Sequence, residues 1–205
     1  MPDKLKIEIL KNDTVDTLTS KISTPEARPE AGSAAAASAS FASALLERAA
    51  KEIARNVESG EQSEKLDWYV RNAEILRDYM VRLIDEDVKC RGPLRRALKE
   101  GDDRRIEAAR QTATSICLEI VNMMGKALEM ADELLAFADR NAKFHLVECA
   151  DLAYGASLAA GRYILYLSGM SCDDTYRYVM RRENELTMTA QKEIYDRLTE
   201  AGAAS

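Results

Sequence analysis

Three residues in the second half of the chain carry side chains suited to proton transfer. His145, Glu148 and Asp151 follow one another at intervals of three, so on a helix they occupy neighbouring positions. Imidazole is the side chain whose ordinary pKa lies near neutrality. Two neighbouring carboxylates raise each other's pKa, which suits general acid–base chemistry. The alternatives are a packed or capping histidine and exposed acids in surface ion pairs.

A second candidate is the segment where a loop leads into an alanine-rich helix. Pro29 and Gly32 interrupt the pattern, Ser33 follows, and a run of alanines begins at Ala34. A serine at this position caps the first helical turn, and the N–H groups beyond it can face an anion or a polar ligand. The same tract is also consistent with a plain helix start or with a linker rich in Ala and Ser.

The bulk properties argue against several classes of function. The 205 residues carry a net charge of −6 with both signs mixed, which is unlike a nucleic-acid-binding protein. No apolar run reaches the ~20 residues that span a bilayer, and the first residues show no signal-peptide pattern. We therefore expect a cytoplasmic protein without a membrane partner. Four widely spaced cysteines and one histidine predict free thiols and no metal site.

Helical periodicity continues along almost the whole chain. Apolar residues recur at spacings of three and four, and no proline follows Pro93. We predict an all-α, single-domain bundle of about five long helices, with a short helix before them. The domain spans residues 13–200, after an N-terminal extension (1–12) and before a flexible tail (201–205). The long helices are predicted at about 33–57, 63–90, 102–141, 144–167 and 171–198.

Local signals set the predicted helix ends. Gly92-Pro93 ends the second long helix, and Asn141 closes the third. Ser171, with Asp174 three residues later, forms a start like a capping box for the last helix. Residues 6–10 alternate in polarity and are consistent with a short strand that has no obvious partner.

The order of these features resembles the cyclodeaminase/cyclohydrolase family. That family comprises the C-terminal domain of formiminotransferase-cyclodeaminase and the stand-alone methenyltetrahydrofolate cyclohydrolases. Its P-G-G-G-S-A-A-A loop is matched by Pro29, Gly32, Ser33 and the alanines, with Glu30 and Ala31 in place of two glycines. The resemblance runs from about residue 15 to residue 198.

Other family features appear at matching places. The leucine-led acidic segment is Leu83-Ile84-Asp85-Glu86-Asp87, an Asn opening the fourth helix is Asn141, and a glycine after small residues is Gly161. Some features are missing. The family's early Ser-Asp pair falls on Leu146 and Val147, and its two asparagines fall on Leu165 and Gly169.

The resemblance implies an all-α homodimer that opens or closes the cyclic C–N bridge of a tetrahydrofolate, without a metal or redox cofactor. Glu148 lies one residue past the family's Asp and is the best acid–base candidate, and His145 is a possible replacement for that Asp. The implied substrate-binding residues are Gly32, Ser33, Glu30 and Lys65. A basic patch could meet the anionic tail of folate or be solvated; it comprises Arg91, Arg95, Arg96, Arg104 and Arg105.

A different reading of the missing residues stays open. The chain could be a non-catalytic or repurposed member of the family that acts as a binding or structural dimer. Fold alone does not decide between the two readings.

Overall fold

A computed structural model describes residues 10–24, 31–57 and 60–203 of the chain. All secondary structure in this part is helical, which confirms the all-α class. The described residues form six α-helices, a short one followed by five long ones. The helices are α1 (Val15–Ile22), α2 (Ala31–Arg55), α3 (Glu61–Glu100), α4 (Asp103–Leu134), α5 (Arg140–Gly169) and α6 (Asp174–Ala203).

Some sequence-based predictions lie outside the described residues. These are the strand proposed at residues 6–10, apart from Leu10, and the substrate-binding candidate Glu30. Leu10 itself is buried in the core. Helix α6 continues to Ala203, into the segment predicted as a tail.

Four long helices enclose the core. Helix α2 packs mainly against α3 and α5, and α4 packs against the same two helices on the opposite side. Helix α6 lies against α5 and α4. Alanine has the smallest side chain that still favours a helix, so an alanine-rich α2 lets its neighbours approach closely. The buried alanines of α2 are Ala35, Ala36, Ala37, Ala39, Ala42, Ala49 and Ala50.

The predicted end of the second long helix at Gly92-Pro93 is wrong. Helix α3 continues through Pro93 to Glu100. A proline inside a helix removes one N–H donor and crowds the preceding turn, which normally breaks or kinks the helix. Here Leu94 and Ala97 beyond the proline are buried, and Leu94 belongs to a small core with Ala113 of α4. Burial of this last stretch offsets the local cost of the proline.

The boundary between the third and fourth long helices also differs from its prediction. Helix α4 ends at Leu134, a 3-10 turn spans Leu135–Phe137, and Asp139 caps α5 by accepting the N–H of Ala142 at 2.9 Å. Asn141 therefore lies in the first turn of α5 and does not close α4. The predicted start near residue 144 is several residues late, because the Asp139 cap starts the helix at Arg140.

The last helix is capped by Asp173 rather than by Ser171. The Asp173 carboxylate accepts the N–H groups of Thr175 and Tyr176 at 2.9 and 3.0 Å. Ser171 supports the turn by accepting the Asp173 N–H at 3.1 Å. The predicted start of the helix is thus close to the observed one, although a different side chain makes it.

Helix α6 is attached through very few buried side chains. Only Asn184, Gln191 and Leu198 are buried along its 30 residues. Asn184 lies over Gly161 of α5, and a Cβ added to that glycine would lie 2.6 Å from Oδ1 of Asn184. Gln191 lies over Gly125 of α4, and a Cβ added there would lie 2.9 Å from Nε2 of Gln191. The two glycines therefore form recesses that receive the amide side chains.

Among the described helices, none combines the length and apolarity needed to cross a lipid bilayer.

Candidate functional site

The start of α2 is held by a buried carboxylate from α3. Asp87 is fully buried, and its Oδ2 atom accepts the backbone N–H of Ser33 at 2.9 Å and the Ser33 hydroxyl at 2.8 Å. Its Oδ1 atom accepts from Nη2 of Arg91 at 2.9 Å. The Arg91 guanidinium also bonds the Tyr163 hydroxyl and lies 4.3 Å from the centre of that ring. We call these four residues the α2 clamp.

Gly32 is required by the α2 clamp. A Cβ at this position would lie 2.3 Å from Oδ1 and 2.6 Å from Cγ of Asp87. The carboxylate has little room to move, because Arg91 and Ser33 both hold it. The matched glycine of the family loop thus has a steric role in this chain.

The clamp changes how the loop-to-helix junction is interpreted. The backbone N–H and the hydroxyl of Ser33, a predicted substrate-binding residue, both donate to Asp87. An internal carboxylate therefore occupies the favourable position for an anion at the start of this helix. The ligand-binding role of Gly32 and Ser33 remains a prediction, and binding an external anion there would require displacing Asp87.

The predicted basic patch does not form one surface. Arg91 is buried in the α2 clamp, and Arg105 pairs with Glu100 at 2.9 Å and with Asp102 at 3.3 Å. A signal for Arg91 and Asp87 was present in the sequence. Both fall in register with the apolar stripe of α3, and they have opposite charges four residues apart.

Two of the predicted proton-transfer residues come together at the other end of α2. Nδ1 of His145 lies 3.4 Å from Oε2 of Glu148, and Nε2 lies 3.8 Å from Oε1 of Glu52 on α2. Arg48 donates to the same Glu52 oxygen at 3.0 Å. The imidazole is largely buried, with 15% of its side chain exposed, while Glu148 is more open to solvent. We call His145, Glu52 and Glu148 the imidazole cluster; sequence reasoning had missed Glu52.

Asp151 and Lys65 lie outside this cluster. Oδ1 of Asp151 accepts from the Tyr195 hydroxyl of α6 at 2.9 Å, so it is engaged away from Glu148. Lys65 lies near the start of α3 with its Nζ atom 5.7 Å from the centre of the Tyr69 ring and 5.8 Å from that of Phe137. The structure therefore does not join the predicted carboxylate pair.

One chain does not bring the imidazole cluster and the Gly32–Ser33 segment together. Ser33 and Glu52 are 19 residues apart on the same helix, which corresponds to about 28 Å at the rise of an α-helix. His145 meets α2 at Glu52, whereas Gly32 and Ser33 meet Asp87. The two groups thus lie at opposite ends of α2.

The positions on which the Ser-Asp pair and the two asparagines of the resembled family fall carry no polar side chains in this chain. Leu146 is completely buried in the core. Leu165 is partly exposed and Gly169 ends α5. None of these positions, Val147 included, supplies a polar side chain.

The thiols fit the prediction of free cysteines. Cys90, Cys117 and Cys149 are buried and unpaired by disulfides, and Cys172 is exposed. Burial raises the pKa of Cys117 and of Cys149 to about 12, so both are neutral at physiological pH. Within the described residues, no group of three or more His, Cys, Asp or Glu side chains is arranged to hold a metal ion.

Comparison with known proteins identifies the fold and the family. A solved structure titled formiminotetrahydrofolate cyclodeaminase from Thermotoga maritima superposes with a TM-score of 0.87 at 18% sequence identity, covering 95% of this chain and 98% of that chain. The comparison with curated proteins finds no match. The family model for formiminotransferase-cyclodeaminase matches residues 14–184. The chain therefore belongs to the formiminotransferase-cyclodeaminase family.

Proposed function

We propose that this protein is an enzyme of folate one-carbon metabolism that acts on the C–N bridge of a methenyl- or formimino-tetrahydrofolate. Membership of the family supports the substrate class, and the relative from Thermotoga maritima is described as a formiminotetrahydrofolate cyclodeaminase. The observation that carries the reaction is the imidazole cluster, because it supplies a group that can both take up and release a proton.

The chemistry requires one proton to change place. In the deaminating direction, N10 of the substrate attacks the protonated formimino carbon, and a new C–N bond closes the ring. N10 gives up its proton, the departing nitrogen gains one, and the C–N bond to that nitrogen breaks to release ammonia. A single acid–base group beside both nitrogens can transfer this proton. In the hydrolytic reaction, the same group would take a proton from the water that adds to the methenyl carbon.

We assign the transfer to His145, with Glu148 and Glu52 as the groups that flank it. A carboxylate beside each ring nitrogen orients the imidazole. Glu148 is the more exposed of the two acids, so it is the one placed to exchange protons with substrate or solvent. The enzyme needs no metal in this scheme.

We further propose that the functional form is a homodimer. The imidazole cluster and the Gly32–Ser33 segment lie at opposite ends of α2. Two antiparallel copies of α2 would therefore bring the cluster of one protomer next to the Gly32–Ser33 segment of its partner. A two-fold interface of this kind is the commonest arrangement in soluble oligomers.

The test compares the rates at which purified variants convert methenyltetrahydrofolate and formiminotetrahydrofolate with the uncatalysed rates. We expect Glu148→Gln and His145→Gln to reduce the rate by about 10²–10⁴-fold, the usual range for loss of a general acid–base group. Glu193→Gln, on the exposed face of α6, is the matched control and should retain full activity. Wild-type protein that folds but accelerates neither reaction contradicts the proposal.

The structure also favours a second candidate, a non-catalytic member of the family that binds a folate or assembles as a dimer. The supporting observation is the α2 clamp, in which an internal carboxylate takes the Ser33 donors that the resemblance assigns to substrate. Folate binding by calorimetry without turnover would favour this second function over the enzymatic one.

A further inference from the structure

A cleft of about 380 Å³ lies between the C-terminal half of α2 and the middle of α3. Its walls carry mainly charged side chains, and all but one of these come from α2. The charged residues are Glu47, Arg48, Lys51, Glu52, Arg55 and Arg77. We call this the cationic cleft, because four cations face two carboxylates in a chain whose net charge is −6.

The buried acid of the cleft is already satisfied. Glu47 is 4% exposed, and its two oxygens bind Lys51 and Arg77. On the outer side, Arg77 also pairs with Asp78 at 2.9 Å and lies 3.8 Å from Glu74. Glu47 and Arg77 thus neutralise each other at the base of the cleft. The remaining cations belong to α2, and we call this side of the cleft the α2 wall.

Two arginines of the α2 wall have N–H groups that could donate hydrogen bonds to a ligand. Arg48 uses its Nε atom to bind Glu52, which leaves its terminal N–H groups directed elsewhere. The ion pairs that line the cleft join Arg48 to Glu52, and Lys51 and Arg77 to Glu47. Arg55 takes part in no ion pair within the described residues. Arg48 and Arg55 are seven residues apart, two turns along one face of α2. Guanidinium groups arranged in this way match the oxygens of carboxylates and phosphates.

A favourable helix dipole does not account for the arrangement. Cations stabilise the last turn of a helix, and Arg55 is the last residue of α2. Arg48 lies two turns earlier, beyond the range of that effect. The helix dipole therefore accounts for Arg55 but not for Arg48.

We propose that the cationic cleft binds a small anion with at least two negative charges, carried by carboxylate or phosphate oxygens. Arg48 and Arg55 hold the anion, and Lys51 adds charge at the centre of the cleft. Glu52 lines the cleft and also faces His145, so an anion bound here lies beside the imidazole cluster. The proposal does not depend on the reaction assigned above.

The test measures stabilisation of the full chain by anions. Urea unfolding midpoints are recorded with rising sodium citrate or sodium phosphate, against sodium chloride at equal ionic strength. A ligand that binds the folded state raises stability by RT ln(1 + [L]/Kd). We expect citrate, phosphate or both to stabilise the protein beyond chloride, and the two arms distinguish a polycarboxylate from a phosphate ligand.

Variants locate the effect. The double change Arg48→Gln and Arg55→Gln keeps a donor at position 48 for Glu52 but removes two charges from the cleft. We expect it to weaken anion binding by at least about tenfold, which corresponds to a loss of about 1.4 kcal/mol in binding free energy. Arg181→Gln with Arg182→Gln, exposed on α6, makes the same change in net charge away from the cleft and should bind as the wild type does. Equal loss in both double variants, or no stabilisation beyond chloride, overturns the proposal.

Discussion

Removing the hydroxyl of Ser33 tests whether the α2 clamp stabilises the fold. Ser33→Ala deletes the hydrogen bond of 2.8 Å to a fully buried carboxylate. A hydrogen bond to a charged group contributes about 1.5–3 kcal/mol. Asp87 keeps its bonds to the Ser33 N–H and to Arg91, so it is not left unpaired. We therefore expect a loss of about 2 kcal/mol in the free energy of unfolding.

The assay is urea unfolding followed by circular dichroism, with Ser43→Ala as the matched control. Ser43 lies on the same helix, is equally buried, and donates only to the Ala39 carbonyl of its own helix at 2.9 Å. Such a bond within a helix adds little, because that carbonyl already accepts the helical N–H. For a chain of this size, about 2 kcal/mol corresponds to a fall in Tm of roughly 4–8 °C. If Ser33→Ala costs no more than Ser43→Ala, the clamp does not stabilise the fold as we reason.

Three substitutions and a change of pH test separate parts of the structure. Gly32→Ala should cost about 1–3 kcal/mol by forcing a Cβ against Asp87, whereas Gly155→Ala, with open space around it, should stabilise by about 0.5–1 kcal/mol; urea midpoints of the two variants are compared. Pro93→Ala should raise stability by about 1–3 kcal/mol because it restores a helical N–H, and an unchanged Tm would contradict this. Burial raises the pKa of Tyr69, Cys117 and Cys149 to about 12, and Glu133 adds to the effect at Tyr69. The unfolded chain therefore loses these protons first, and stability should fall by about 2–5 kcal/mol from pH 8 to pH 10.5; a flat profile would show that the three groups are not protected from ionisation.

Some helix starts that depend on local chemistry could be predicted from the sequence. The start of α4 after Asp102 is an example, because an aspartate cap acts on an N–H group three residues away. The end of α3 could not be predicted in this way. Gly92-Pro93 is a strong local stop signal, and only the burial of Leu94 and Ala97 against distant segments outweighs it.

The candidate site was foreseen only where its members are close in sequence. His145 and Glu148 are three residues apart, so their contact follows from helical spacing. Glu52, which faces His145 from α2, is separated from it in sequence by the whole of α3 and α4. Ser33 and Asp87 are 54 residues apart, and no periodicity links them. An acid in register with an apolar stripe does indicate that Asp87 is buried, but it does not reveal its partner.

The recesses at Gly125 and Gly161 determine the axial register of α6. A slide of one helical turn, about 5.4 Å, would move Asn184 and Gln191 off both glycines and against ordinary side chains. The two recesses belong to different helices, so both have to match at once. Within the described part of the chain, Oδ1 of Asn184 and Oε1 of Gln191 have no hydrogen-bond partner, which costs stability. Helix α6 thus gives up some binding energy in exchange for a single position along the bundle, much as a buried asparagine specifies the register of a coiled coil.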